Sequence, residues 1–139
     1  MGIIVKYAEN EIDKQACFEI RNEVFVKEQG IPKKLEFDDD KVKALNLYAL
    51  IKHTHVGAAR TRRTKNGIKL ERFAVLKNYR GRGVGKALVN FILDNASETD
   101  RIYLHAQEPV IGFYLSLGFS KLGAKFMEAG IPHWKMVRK

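Results

Sequence analysis

Two spacings of apolar residues alternate along this chain, and the switches between them mark out its elements. Ile3, Val5 and Tyr7 alternate with Ile4 and Lys6 as a short first strand would. After Asn10 the spacing lengthens. Ile12, Ala16, Ile20 and Val24 recur every fourth residue, which predicts a helix over about 11–27 with that stripe facing inward. Asn10 reads as its N-cap and Asp13 as a weak capping-box acid, while Cys17 rides beside the stripe as a small buried hydrophobe. Gly30 and Pro32 end this helix, and the stretch 28–41 has neither spacing. Segments 47–52 and 56–64 then read as a hairpin, with His53 and His55 as surface residues near its turn. Asn66-Gly67 is a second hairpin signal and leads into a strand over 70–76.

The helical spacing returns with Val84, Ala87, Leu88, Phe91 and Ile92. Alternation resumes at 101–107, with Ile102, Leu104 and Ala106 on one face and Tyr103, His105 and Gln107 on the other. Pro109 suits a first helical turn, and Gly118 stops that helix at Leu117. Phe113 reads as a core aromatic of this short helix. A strand near 119–127, a loop at 128–132 and a last strand over 133–138 complete the chain.

Composition narrows the class. The chain's 139 residues, 45% of them hydrophobic, suffice for one domain, 1–139, with a real core. No apolar run approaches the ~20 residues of a membrane span, and the N-terminus does not read as a signal peptide, so a cytoplasmic location is expected. One cysteine and no Cys/His cluster argue against disulfides and metal. The net charge of +9 suits an anionic partner. Arg60, Arg62, Arg63 and Lys65 form a basic run, but it lacks interleaved aromatics and any nucleic-acid-binding signature, so no specific nucleic-acid partner is expected.

The anion-binding candidate is the turn 78–86, Asn-Tyr-Arg-Gly-Arg-Gly-Val-Gly-Lys, set between a strand and a helix. Glycines there let an anion approach the backbone N–H groups and the positive end of the helix dipole. A P-loop is excluded, because Arg80 stands where the first glycine belongs and Ala87 replaces the Ser or Thr. A dinucleotide fingerprint is excluded too, since the glycines fall at 81, 83 and 85.

What fits is Arg80-x-x-Gly83-x-Gly85, which resembles the pyrophosphate loop of the GNAT superfamily of N-acetyltransferases. Phe113-Tyr114-x-x-x-Gly118-Phe119 resembles that family's second signature and follows in the expected order. Glu28-Gln29-x-x-Pro32 and Gly130-Ile131-Pro132-His133-x-x-Met136 are similar to segments of a small bacterial single-domain subgroup. The resemblance implies an α/β GNAT fold: a central, mixed, mostly antiparallel sheet of six to seven strands flanked by about four helices. It also implies an acetyl-CoA-dependent N-acetyltransferase that acetylates a primary amine of a small molecule or peptide by direct attack in a ternary complex. The competing class is a catalytically idle acyl-CoA-binding sensor on the same fold. A homodimer is compatible with either.

By the same resemblance Phe73, Ala74 and Val75 lie beside pantetheine, where the fourth and fifth strands of the family splay apart. Arg80, Gly81, Arg82, Gly83, Val84, Gly85 and Lys86 surround the pyrophosphate. Tyr114 is the expected donor to the departing thiolate. An amine with a pKa of about 10 needs a base near neutral pH. Glu71 is the first candidate, because alternation places it on one face with Phe73; its competing reading is a salt-bridged strand residue beside Arg72. Glu28, His105 and His133 are the other candidates for the base, and with Gln29 and Asp38 they are assigned to the acceptor side. Many relatives carry Asn where this chain has His105.

Overall fold

The computed structural model describes residues 2–36 and 43–138; Asp38, assigned to the acceptor side, lies outside the described residues together with Asp39 and Asp40. The chain divides into two compact units, Met1–Arg62 with Arg72–Ala96, and Arg63–Glu71 with Ser97–Lys139.

In the first unit, β1 (Ile4–Tyr7) pairs antiparallel with β2 (Leu45–Ile51), and β2 pairs antiparallel with β3 (Thr54–Thr64), which ends in the second unit. Helix α1 (Glu11–Arg21) starts at Asn10, whose side chain accepts from Asp13 N at 2.8 Å as a cap should. The apolar stripe holds as expected at Ile20 and Val24 and shifts by one position, to Cys17, in its first half. Ile12 is 78% exposed, whereas Cys17, Ile20, Arg21 and Val24 are buried. Cys17 therefore sits at the centre of the inward face, where burial pushes its thiol up to about 12.

Beyond Arg21 the helix does not continue in the same winding. Residues Asn22–Glu28 form a π-helical segment, with Gln29 N donating to Val24 O at 3.1 Å. A short helix, α2 (Lys33–Glu36), follows. Its Glu36 is 3% exposed and accepts from Arg21 Nε at 2.7 Å, and Arg72 Nε lies 3.4 Å away.

The β2–β3 turn is made by Lys52 and His53, both with positive φ. His53 is thus a turn residue, but His55 is not, contrary to the expectation for the pair. His55 Nε2 lies 3.1 Å from Asp13 Oδ1, and Tyr48 donates to the other Asp13 oxygen at 3.1 Å. Asp13 ties the helix to the hairpin rather than closing a capping box. Arg60, part of the basic run, is 2% exposed and so is not a surface contact for nucleic acid.

Strand β4 (Gly67–Val75) ends in the first unit, and α3 (Val84–Asp94) buries Val84, Leu88, Val89 and Ile92. In the second unit the first part of β4 runs parallel to β5 (Ile102–Gln107), pairing Ile68 with Ile102 through Leu70 with Leu104. Gly67 is required where it stands: its φ is +125, and a Cβ there would lie 2.3 Å from Arg101 O.

Helix α4 (Ile111–Ser116) buries Ile111 and Tyr114, three positions apart. Phe113 lies off that stripe and is 37% exposed, so it is not the core aromatic expected. The segment 119–127 is two strands, β6 (Phe119–Lys121) and β7 (Phe126–Glu128), both antiparallel to β8 (Ile131–Arg138). The loop expected at 128–132 contracts to Ala129 and Gly130, both with positive φ. Strand β8 is antiparallel to β5 as well. Mixed but mostly antiparallel strands with four α-helices among the described residues match the expected class.

Candidate active site

The turn after β4 is built from backbone. Gly81 and Gly83 have φ of +78 and +85, conformations that a residue with a Cβ adopts at a cost of about 1–2 kcal/mol. A Cβ at either would meet nothing within 4 Å. Packing therefore does not demand these glycines, and the backbone is bare on its outer side. Gly83 is the N-cap of α3, and N–H groups of the first helical turn, Val84 to Lys86, have no intrahelical acceptor. A polyphosphate fits this chemistry. Arg82 and Lys86 are exposed on the same turn, with the Arg82 guanidinium 5.2 Å from the Tyr79 ring centre.

Arg80 does something else. Its Nε donates to Val75 O at 2.9 Å, and its two terminal nitrogens donate to the two oxygens of Glu28 at 2.6 and 2.7 Å. The fork holds the carboxyl of Glu28 below its ordinary range and raises the guanidinium in turn. Glu28 is thus committed to the turn rather than open to an acceptor amine, and the Arg80 side chain buttresses the turn rather than reaching outward. Gln29, exposed, caps the π-helical segment through its N–H. One groove of about 610 Å³ is lined by residues of α1 and the π-helical segment, His55 and Leu76, and contains none of the residues nominated from sequence.

Along β4, Ala74 is buried while Phe73 and Val75 are partly exposed. Arg72 has φ +60, a left-handed residue inside a strand. The Glu71 carboxylate, 7% exposed, lies 3.5 Å from Lys69 Nζ. Lys69 is thus an ion-pair partner of Glu71, and Glu36 one of Arg72.

In the second unit, Tyr114 is 7% exposed with its ring edge-on to Phe113 and Phe119 at 5.0 and 5.8 Å. Burial pushes its hydroxyl well above the usual tyrosine value, so it stays protonated. His105 and His133, nominated separately, are brought together by Glu128. His105 Nδ1 is 3.0 Å from Glu128 Oε1, and His133 Nε2 is 3.5 Å from Glu128 Oε2. The hydrogen bond from His105 is the main cause that holds the Glu128 carboxyl below its ordinary range; burial opposes it, and Lys69 and His133 assist. Glu128 was not among the sequence candidates. Its one signal was position, three residues before the Ile131-Pro132-His133 segment in what reads as a loop.

Residues 6–139 match the profile of the acetyltransferase (GNAT) domain. The chain belongs to the GNAT acetyltransferase family. A Bacillus subtilis (strain 168) protein with the provisional name acetyltransferase BSU40680 is 39% identical over 140 residues, covering 97% of this chain and 95% of that one. The crystal structure of Escherichia coli ElaA superposes with a TM-score of 0.86 at 25% identity, over 99% of this chain and 100% of that one. An aminoglycoside 6'-N-acetyltransferase complexed with coenzyme A shares the fold, with a TM-score of 0.77 at 15% identity over 97% and 96% of the two chains. GNAT enzymes use acetyl-CoA. The bare backbone of the 81–86 turn fits that polyphosphate.

Proposed function

We propose that this GNAT protein is an acetyl-CoA-dependent N-acetyltransferase, one domain over 1–139, acting in the cytoplasm on a primary amine of a small molecule or peptide by direct attack in a ternary complex. The observation that carries the reading is the turn itself. Two left-handed glycines with open space outside them lead into a helix start whose N–H groups have no intrahelical acceptor.

In this reading the backbone of Gly81, Arg82, Gly83, Val84, Gly85 and Lys86 binds the pyrophosphate, with the Arg82 and Lys86 side chains adding charge. Arg80 keeps the turn in shape through Val75 and Glu28. The β4 backbone at Phe73, Ala74 and Val75 pairs with the pantetheine amides as a strand would. Acetyl-CoA supplies the thioester when bound. Tyr114 donates to the departing sulfur, a role for which a hydroxyl kept protonated by burial is suited. Glu71 would have to give up Lys69 before taking a proton from the amine.

The test is release of thiol from acetyl-CoA across a panel of primary amines, with calorimetric titration of acetyl-CoA alongside. Amine-dependent release, with the acetylated product identified by mass, is expected. Binding without turnover on any amine would leave a regulatory acyl-CoA-binding module instead, and absence of binding would sink both readings.

A further inference from the structure

The second unit contains a tautomer-defined imidazole. Glu128 Oε1 lies 3.0 Å from His105 Nδ1. A carboxylate only accepts, so that contact holds the proton on Nδ1 and leaves the lone pair on Nε2. His105 Nε2 has no hydrogen-bond partner among the described residues, and the side chain is 23% exposed. The ring is located by Phe126, 4.9 Å away and edge-on, and by Tyr103 at 5.8 Å. His133 carries its proton on the same ring nitrogen but gives it to backbone. Its Nδ1 is 2.8 Å from Ile131 O, which only accepts, so its proton is committed to its own strand and its side chain is 8% exposed.

We infer that His105 is the general base that takes a proton from the acceptor amine, and that Glu128 is the positioning residue that fixes its tautomer. This rests on the acetyltransferase reading above. Glu71 is the weaker base, because its carboxylate is paired with Lys69 and nearly buried, whereas His105 presents an unpartnered lone pair. The charged and titratable groups around His105 come from three other strands. They are Glu128 on β7, His133 and Lys135 on β8, and Lys69 with Glu71 on β4. Lys135 is opposite His105 in register and holds its ammonium 5.0 Å from the Tyr103 ring centre. The carboxylates of Glu71 and Glu128 are offset in charge by the ammonium groups of Lys69 and Lys135.

The step balances. The ammonium R–NH3+ gives one proton to His105 Nε2, and the nitrogen lone pair forms the C–N bond to the acetyl carbonyl carbon as the C–S bond breaks. Sulfur leaves with the electron pair and receives the second proton of the nitrogen, with Tyr114 as donor restored by that proton. The products are the acetamide, the CoA thiol and one proton, released from His105 to solvent.

The test joins kinetics to spectroscopy. In wild-type protein, 15N NMR of His105 should show the proton on Nδ1, and in Glu128→Ala that preference should be lost. His105→Ala should lower turnover on the order of 10²-fold with acetyl-CoA affinity retained. Added imidazole should restore part of the rate, and the deficit should shrink as pH rises towards the pKa of the amine. His105→Asn, which keeps a polar side chain in place, should show the same deficit. A wild-type His105 carrying its proton on Nε2 would overturn the assignment whatever the activity. So would undiminished turnover in His105→Asn, or a deficit that neither imidazole nor high pH reduces. A wild-type enzyme inactive on every amine would instead remove the acetyltransferase reading on which the inference stands.

Discussion

The glycine turn at 80–86 and the histidine–carboxylate cluster at 105, 128 and 133 are built by opposite means. The turn is local, and its working groups are backbone N–H donors whose geometry depends on φ at two glycines. The cluster is assembled from side chains on three strands, with residues far apart in the chain joined by one carboxylate. The first arrangement tolerates changes of exposed side chain and fails when the backbone changes. The second tolerates changes of neighbouring backbone contacts and fails when a single side chain is replaced.

Substitution at Gly83 should do the most damage to the turn. Gly83→Asp adds a Cβ at φ +85 and a negative charge where the phosphates would lie, so acetyl-CoA affinity should fall about 100-fold or more by titration calorimetry, a combined effect of near 3 kcal/mol. Unchanged affinity would show that the turn does not hold the cofactor. Tyr114→Phe should act on the other side. It keeps the ring packing against Phe113 and Phe119 and removes the donor, so turnover should drop on the order of 10²-fold with acetyl-CoA binding little altered. Loss of affinity and thermal stability together would reduce Tyr114 to a packing residue.

The Arg80–Glu28 fork sharpens the contrast, because it is a side-chain device serving the backbone turn. Glu28 has a depressed folded-state pKa, so its contribution is fully present above the ordinary value of 4.5 and is lost as pH falls through the lowered one. The part of acetyl-CoA affinity that depends on Glu28, read as the ratio of wild type to Glu28→Gln, should therefore be flat from pH 8 to about 5 and fall in more acidic buffer. Glu28→Gln should be several-fold weaker at neutral pH and lack that acidic loss. Equal profiles in the two proteins would mean that the fork does not shape the turn.

Much of the first region was legible in the chain for a physical reason. Glycines needed at positive φ, a cap and a helical stripe all act within a few residues of one another, so Gly81, Gly83 and α3 could be read directly. Phase and partnership could not. Ile12 fits the four-residue spacing as well as Cys17 does, and only packing against β2 decides that Cys17 faces inward. Arg72 gave no sign of its left-handed φ, a conformation that favours glycine and that neither Glu71 nor Phe73 beside it announces. Glu128 stayed hidden since its role comes from β7 and β8 pairing, which also split 119–127 into two strands. His105 and His133 could be nominated one at a time, but not their shared carboxylate.

The smallest expected effect sets a baseline for both regions. Cys17→Ala removes one buried heavy atom and should cost about 1 kcal/mol, read as a thermal shift of a few degrees. Affinity for acetyl-CoA and the pH profile should stay as in wild type, and a change in either would tie the α1 core to the site.

The buried contact of Arg21 with Glu36 constrains which sequences can descend from this one. Each side chain is nearly excluded from water, and Arg21 also donates to the Glu36 backbone carbonyl at 2.9 Å. Losing Glu36 removes the buried carboxylate that Arg21 and Arg72 both face, a loss of about 3–5 kcal/mol against the 5–15 kcal/mol by which a domain is stable. Arg72 faces the same carboxylate, so a change at Glu36 reaches β4 as well. Positions 21, 36 and 72 are therefore expected to mutate as a linked set, with position 36 the last to change on its own.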